Sequence, residues 1–145
     1  MSVGVIACPA CETKNRVAAT ATGVPHCPKC GAALPWLVDA DDSNFAAVVG
    51  AASLPVLLDL WAPWCPPCRM ITPAVAASAA RFAGRLKVAK LNVDVAPQTA
   101  RAFNVQGIPT LLILRGGTEV ERQVGVLIGD ALPQWIERSI ARANV

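Results

Sequence analysis

The sequence predicts an α/β domain, a central mixed sheet flanked by helices, preceded by a small unit held by cysteines. Three observations carry this expectation. Strand-like and helix-like segments alternate from residue 35 onward in the order β-α-β-α-β-α-β-β-α, a layout with an antiparallel end. Residues 55–62 (PVLLDLWA) are apolar on both faces except at Asp59, as expected of a strand in a sheet covered on both sides. Residues 1–34 hold four of the six cysteines and the one histidine, His26, but too few large apolar side chains for a core of their own.

Taken in order, Trp36, Leu37 and Val38 read as a short strand, and residues 39–43 as a polar turn able to cap a helix. Phe45, Val48, Val49 and Ala52 then recur at i, i+3, i+4 and i+7, which puts one apolar stripe on a helix. Residues 55–62 form the central strand. Trp64-Cys65-Pro66-Pro67-Cys68 follows and opens an alanine-rich helix to about residue 83, in which Pro73 removes a hydrogen bond and is expected to cause a kink. Residues 86–93 read as a second strand and 96–103 as a short helix. Residues 111–114 and 119–126 flank Arg115-Gly116-Gly117-Thr118, a hairpin signal because glycines supply the positive φ of tight turns. A last helix begins near residue 130, with Leu132, Trp135, Ile136 and Ile140 on one face.

At 145 residues the chain fits one ordinary domain with a small appendage. Hydrophobic residues make up 54% and charged residues 16%, so a core is available and disorder is a poor description. No apolar run approaches the ~20 residues that cross a bilayer, so no membrane-spanning helix is expected. The net charge of +3 falls well short of the basic surface that nucleic acid requires. No basic residue precedes the short apolar stretch before Cys8, so no secretory leader is expected and the chain is placed in the cytoplasm. Thiols in that compartment serve metal binding or redox catalysis rather than structural disulfides.

The cysteines form three pairs of one spacing, Cys8/Cys11, Cys27/Cys30 and Cys65/Cys68. Fifteen residues separate the first two pairs, inside the window of four-cysteine zinc sites. Each two-residue gap lets one turn present two sulfurs to one ion, and two turns complete the tetrahedral thiolate shell that zinc favours. One structural Zn2+ on Cys8, Cys11, Cys27 and Cys30 is therefore expected, supplying the folding energy that residues 1–34 lack. Two disulfides or unliganded thiols are the alternative. Gly31 allows a turn after the second pair, and His26 finds the shell already full. Lys14, Arg16 and Lys29 against Glu12 leave the zinc-loaded unit near neutral, which argues against phosphate binding.

Cys65 and Cys68 stand where a buried strand hands over to a helix. Unpaired N–H groups and the macrodipole at a helix N-terminus stabilise a thiolate, and Cys68, three residues on, can close a disulfide with Cys65. Prolines lose nothing essential in that first turn. No further cysteine or histidine remains to make this pair a second metal site. Asp59 is costly to bury without purpose, and burial raises its pKa toward a range useful for proton transfer. Lys90 lies on the face of its strand that carries Leu86 and Val88, and so can meet Asp59 inside. An edge strand with both residues facing water is the alternative.

Residues 59–68 (DLWAPWCPPC), 90–94 (KLNVD) and 107–111 (GIPTL), with Val124-Gly125, together resemble the thioredoxin family, and the N-terminal unit is similar to the zinc module of the thioredoxin-2 type of bacteria. The resemblance covers essentially the whole chain and implies a zinc ribbon at 1–34 and a thioredoxin fold at 35–145. It implies a dithiol oxidoreductase that reduces protein disulfides, in which Cys65 attacks, Cys68 resolves, Asp59 accepts the proton and Lys90 is its partner. Pro109 matches the cis-proline beside the active-site disulfide. Trp64, Gly107, Ile108 and Gly125 match the rim on which substrate polypeptides dock; the alternatives are an ordinary surface aromatic for Trp64, a strand bulge for Gly125 and a trans turn proline for Pro109. The family further implies regeneration by an NADPH-dependent flavoenzyme, thioredoxin reductase, so no nicotinamide or flavin is expected on this chain. One departure is Pro66, since the usual motif has glycine there and some oxidant members of the superfamily have proline. A protein-disulfide oxidase or isomerase therefore stays open, as does a zinc-ribbon binding module or redox sensor whose thioredoxin-like half only recognises partners.

Overall fold

The computed structural model describes residues 3–145. Met1 and Ser2, part of the stretch read as lacking a leader and of the 1–34 unit, lie outside the described residues. In the N-terminal unit β1 (Val3–Ala7) and β2 (Lys14–Ala18) pair antiparallel as a two-stranded sheet. The second sheet contains β3 (Leu37–Ala40), β4 (Val56–Trp61), β5 (Lys87–Asn92), β6 (Thr110–Arg115) and β7 (Thr118–Val124), in the spatial order β3-β5-β4-β6-β7. The apolar run at 55–62 thus becomes the central strand, parallel to β5 on one side and antiparallel to β6 on the other.

Side chains alternate between the two faces of this sheet, and both faces are covered. α1 (Pro66–Arg81) lies on one face, where Ile71 and Val75 meet Leu57, Val88, Leu111 and Ile113. The other face, with Leu58, Leu60, Leu91 and Leu112, meets Val48, Val49 and the segment around α2 (Pro97–Ala102). α3 (Ala131–Ala143) joins α1 through Leu132, Trp135, Ile136 and Ile140. The result is the predicted α/β fold with a mixed central sheet.

One local expectation changes. The stripe at Phe45, Val48, Val49 and Ala52 predicts an ordinary helix, but Ala46–Gly50 is one wide π-type turn, closed by the Ala51 N–H on the Ala46 carbonyl at 2.8 Å. Adjacent β-branched valines and Gly50 disfavour a longer helix, yet both valines still reach the core. α1 runs on through Pro73, which removes one donor without ending the helix. α2 has no side-chain cap of its own; Asp42, from the turn after β3, accepts the N–H of Gln98 at 3.0 Å and that of Thr99 at 2.8 Å.

The N-terminal unit docks where β3, β4 and β5 begin. Leu34 and Trp36, just before β3, are buried against Cys8, Val17 and Cys27. Ser53, ahead of β4, accepts the Gly23 N–H and donates to the Gly23 carbonyl, both at 3.1 Å. Lys87 opens β5 and is 0% exposed. Its ammonium donates to the carbonyls of Ala19 at 2.5 Å and Val48 at 2.7 Å, and lies 4.0 Å from the centre of the Trp36 ring. No carboxylate among the described residues pairs with it, and burial lowers its pKa to about 8. The small unit therefore completes its core with residues 34–36 and shares a buried cation with the large one. Among the described residues, no helix is long and apolar enough to cross a membrane.

Candidate active site and metal centre

Beyond the far end of β4 the chain turns through Ala62, Pro63 and Trp64 into α1. Cys65 is the N-cap residue of α1 and is joined to Cys68 by a disulfide, with Cα atoms 5.3 Å apart. Its Sγ accepts the Cys68 N–H at 3.2 Å. Pro66 and Pro67 fill the two intervening positions and have no N–H, so Cys68 supplies the first donor of the turn. Cys65 and Cys68 are buried among Trp61, Ala62, Val93 and Ile108. The Ile108 carbonyl oxygen lies 3.9 Å from Cys65 Sγ, and the Ile108-Pro109 bond is cis.

The loop carrying Pro109 is tied to its neighbours. The Pro109 carbonyl accepts the N–H of Gly125 at 2.8 Å, and Gly125 adopts φ 92°, a conformation open to glycine and costly to residues with a Cβ. The Thr110 hydroxyl donates to the Gly107 carbonyl. Trp64 is 63% exposed, and its indole N–H is shared between the two carboxylate oxygens of Asp94 at 3.0 and 3.2 Å. Trp64, Val93, Val105 and Ile108 line a shallow apolar cavity of about 180 Å³. Ile108 thus packs on the Cys65–Cys68 pair, Trp64 precedes Cys65 in the chain, and Gly107, Pro109 and Gly125 belong to the backbone that carries Ile108.

Asp59 lies two residues before Trp61 on the same face of β4 and is 0% exposed. Neither carboxylate oxygen has a hydrogen-bond partner among the described residues. Burial raises its pKa to about 6, and the charge of Lys90 pulls it partly back. Lys90 stands directly across from Asp59 in the β4–β5 register, but forms no ion pair with it; the ammonium lies 4.8 Å from the centre of the Trp61 ring.

The four remaining cysteines meet at one point. Their sulfurs all lie within 4.8 Å of one another, with Cys8 to Cys30 at 3.5 Å and Cys11 to Cys27 at 3.6 Å. A tetrahedron with Zn–S bonds of ~2.3 Å has edges of ~3.8 Å, so the donor set and its spacing fit such an ion. The two knuckles repeat one geometry: Glu12 N–H returns to the Cys8 carbonyl at 2.8 Å and Gly31 N–H to the Cys27 carbonyl at 2.7 Å. Both take left-handed φ, 64° at Glu12 and 80° at Gly31. Hydrogen bonding with Thr13 draws the Cys11 thiol down to about 6. The Ala32 N–H favours the Cys30 thiolate, but the crowding sulfurs of Cys8, Cys11 and Cys27 outweigh it and push that thiol up to about 12. Four thiolates this close repel one another unless a cation sits between them.

The thioredoxin family model matches residues 36–138. The chain belongs to the thioredoxin family. It is 44% identical over 100 residues to "Thioredoxin" of Haemophilus influenzae, covering 69% of this chain and 94% of that protein. It is 42% identical over 99 residues to "Thioredoxin 1" of Nostoc sp., covering 68% and 92%. Likeness to "Thioredoxin C-3" of Corynebacterium nephridii is 37% over 139 residues, 94% of this chain and 95% of that protein, so it takes in the N-terminal unit as well.

Like other thioredoxins, the chain is a thiol-disulfide oxidoreductase, and Cys65 and Cys68 are the pair placed to exchange dithiol for disulfide. Four residues that shape this thioredoxin escape the sequence reading as individuals. Asp94 orients Trp64, Asp42 caps α2, Glu12 copies the turn of Gly31, and Lys87 joins the two units. Two of them carried a signal: Asp94 as the last residue of the KLNVD segment, and Asp42 within the capping turn at 39–43, though for the helix that follows rather than for α2.

Proposed function

We propose that this protein is a cytoplasmic reductant of protein disulfides, of the thioredoxin-2 type, with a zinc ribbon at 1–34 and a catalytic domain at 35–145. One observation carries the reading: a disulfide at a helix N-cap, fed by a strand that holds a buried and unpartnered carboxylate. In the reduced protein the Cys65 thiolate attacks one sulfur of a substrate disulfide, and the other substrate sulfur leaves as a thiolate. Cys68, its proton passed toward Asp59, then attacks Cys65 Sγ and releases the second substrate thiolate. The products are the Cys65–Cys68 disulfide and a substrate dithiol. A pKa of about 6 lets Asp59 exchange that proton near neutral pH, and Lys90 keeps the pKa from rising further.

Trp64, Gly107, Ile108, Pro109 and Gly125 form the rim against which the substrate backbone lies. Thioredoxin reductase, drawing on NADPH, restores the dithiol, so this chain needs no nicotinamide or flavin. Cys8, Cys11, Cys27 and Cys30 hold one Zn2+ that stabilises the ribbon. The missing donors at Pro66 and Pro67 favour reduction over oxidation of substrates. A thiolate with fewer N–H partners is less stable, which leaves the disulfide form relatively more stable and the dithiol a stronger reductant.

The test is insulin reduction coupled to thioredoxin reductase, with the redox potential of the zinc-loaded protein measured against glutathione. Cys65→Ser should abolish turnover and Cys68→Ser should accumulate mixed disulfides. A potential near the ~−270 mV typical of thioredoxins is expected; one near ~−180 to −120 mV makes the protein an isomerase or oxidant instead. Turnover at the parent rate by Cys65→Ser overturns the mechanism.

A further inference from the structure

The N-terminal unit carries a groove that the redox chemistry does not use. A cavity of about 430 Å³ runs along the whole of β2, bounded on its other side by Pro25, His26, Pro28 and Leu34. The Cys8 N–H bonds the Thr13 carbonyl at 2.9 Å, next to the first β1–β2 pair. Main-chain direction alternates along an antiparallel pair, so Asn15 and Val17 turn their N–H and C=O groups toward β1, while Lys14, Arg16 and Ala18 turn theirs outward. Ala21 N–H takes up the Ala18 carbonyl. Among the described residues, no group bonds Lys14 or Arg16 from that side.

The chain does not fill this edge itself. The segment opposite pairs internally, Cys27 N–H with the Ala32 carbonyl at 2.8 Å and Leu34 N–H with the Pro25 carbonyl at 2.9 Å. Pro25 and Pro28 have no N–H to offer across the groove. The side chains of Lys14 and Arg16 are exposed, two positions apart on one face of β2, and neither joins an ion pair among the described residues. Glu12 is the one carboxylate in residues 3–34, against Lys14, Arg16 and Lys29.

An open strand edge with a paired-basic face is a template for another strand of opposite charge. We propose that the outer edge of β2 is a strand-addition site for an extended acidic segment of a partner polypeptide. Five residues of β2 match about 17 Å of extended partner chain. Acidic side chains at every second position of the partner would stand across from Lys14 and Arg16, while its main chain supplies the missing hydrogen bonds. The site lies on the ribbon, at the opposite end of the sheet from Cys65, so docking there leaves the disulfide free.

The test uses the full-length, zinc-loaded protein and a fluorescein-labelled peptide Glu-Val-Glu-Val-Glu, followed by anisotropy and by amide hydrogen exchange. Saturable binding is expected, with exchange at Lys14 and Arg16 slowed about tenfold at saturation and the Asn15 and Val17 amides little changed. Methylating alternate amides of the peptide should abolish binding, and Lys-Val-Lys-Val-Lys should bind far more weakly. Lys14→Glu with Arg16→Glu should weaken the acidic peptide about tenfold and reverse the preference, from two exposed charge pairs each turned from attraction to repulsion. The proposal fails if no saturable binding occurs up to millimolar peptide, or if the N-methylated peptide binds equally. It also fails if the charge-reversed protein binds the acidic peptide unchanged, or if self-association of the protein protects the same amides.

Discussion

Replacing Asp59 by asparagine exchanges stability against proton transfer, and both sides can be worked from the buried carboxylate. Asp59 is inaccessible to solvent, its oxygens have no partners, and its pKa rises from the ordinary 3.8 to about 6. Between those values the folded chain holds a proton that the unfolded chain has released, so stability falls as pH rises through this window. Below 3.8 no penalty exists; above about 6 it is complete. At about 1.4 kcal/mol per pH unit, ionised Asp59 destabilises the fold at pH 7 by about 3 kcal/mol. The asparagine side chain would bury unpartnered polar atoms much as the protonated carboxyl does, so the variant should match the parent in acid and gain up to about 3 kcal/mol over it at pH 7. Urea unfolding of the oxidised proteins between pH 4 and pH 8 reads this directly, and the difference between the two proteins cancels any shared loss of metal in acid. The parent should lose about 2.5 kcal/mol more than Asp59→Asn across that range. If Asp59 is the base for Cys68, as proposed, insulin turnover at pH 7 should fall about 10²-fold. Parallel stability profiles, or an asparagine variant as active as the parent, would refute the reasoning.

Lys87→Met should leave stability at pH 7 within about 1–2 kcal/mol, since removing a costly buried charge is offset by stranding the Ala19 and Val48 carbonyls. The parent should gain up to about 3 kcal/mol as pH rises from about 8 to 10.5, because there the unfolded chain keeps the Lys87 proton and the folded chain has lost it; denaturation of the methionine variant should show no such rise. Glu12→Gly should relieve about 1 kcal/mol of left-handed backbone strain and slow zinc transfer to a chromogenic chelator severalfold; unchanged transfer would contradict this. Pro67→Ala restores an N–H at the second position of α1, where an N-cap side chain accepts, and should make the redox potential less negative by on the order of 30 mV, with Pro66→Gly giving a smaller shift in the same glutathione titration.

The sheet and the dithiol were legible because their signals are local. Strand β4 announces itself by continuous apolarity, the β6–β7 hairpin by its glycine pair, and the N-cap cysteine by its place between strand and helix. What was not legible depends on distant chain. Alternation sets Lys87 on the face opposite Lys90, but its burial comes from Ala19 and Val48, 68 and 39 residues away. Asp42 caps α2 from 56 residues upstream, so no capping box marks that helix in the sequence. The stripe from Phe45 to Ala52 is satisfied equally by a 3.6-residue helix and by a wider turn, and packing of the two valines decides between them. Gly31 advertises its turn whereas Glu12, in the equivalent knuckle, hides the same conformation behind a residue that rarely adopts it.

The location of the ribbon has a kinetic consequence. Its sulfurs sit beyond the start of β3, β4 and β5, and the dithiol lies past the end of β4, a separation of at least about 20 Å given ~3.3 Å per strand residue. Sulfur exchange requires contact between the exchanging atoms, so Cys65 cannot reach the ribbon cysteines of its own molecule. If those cysteines are oxidised, their repair by a Cys65/Cys68 dithiol must come from a second copy of the chain, at a rate that rises with the square of protein concentration. Dilution then separates the two sulfur chemistries that one chain carries, and crowding couples them.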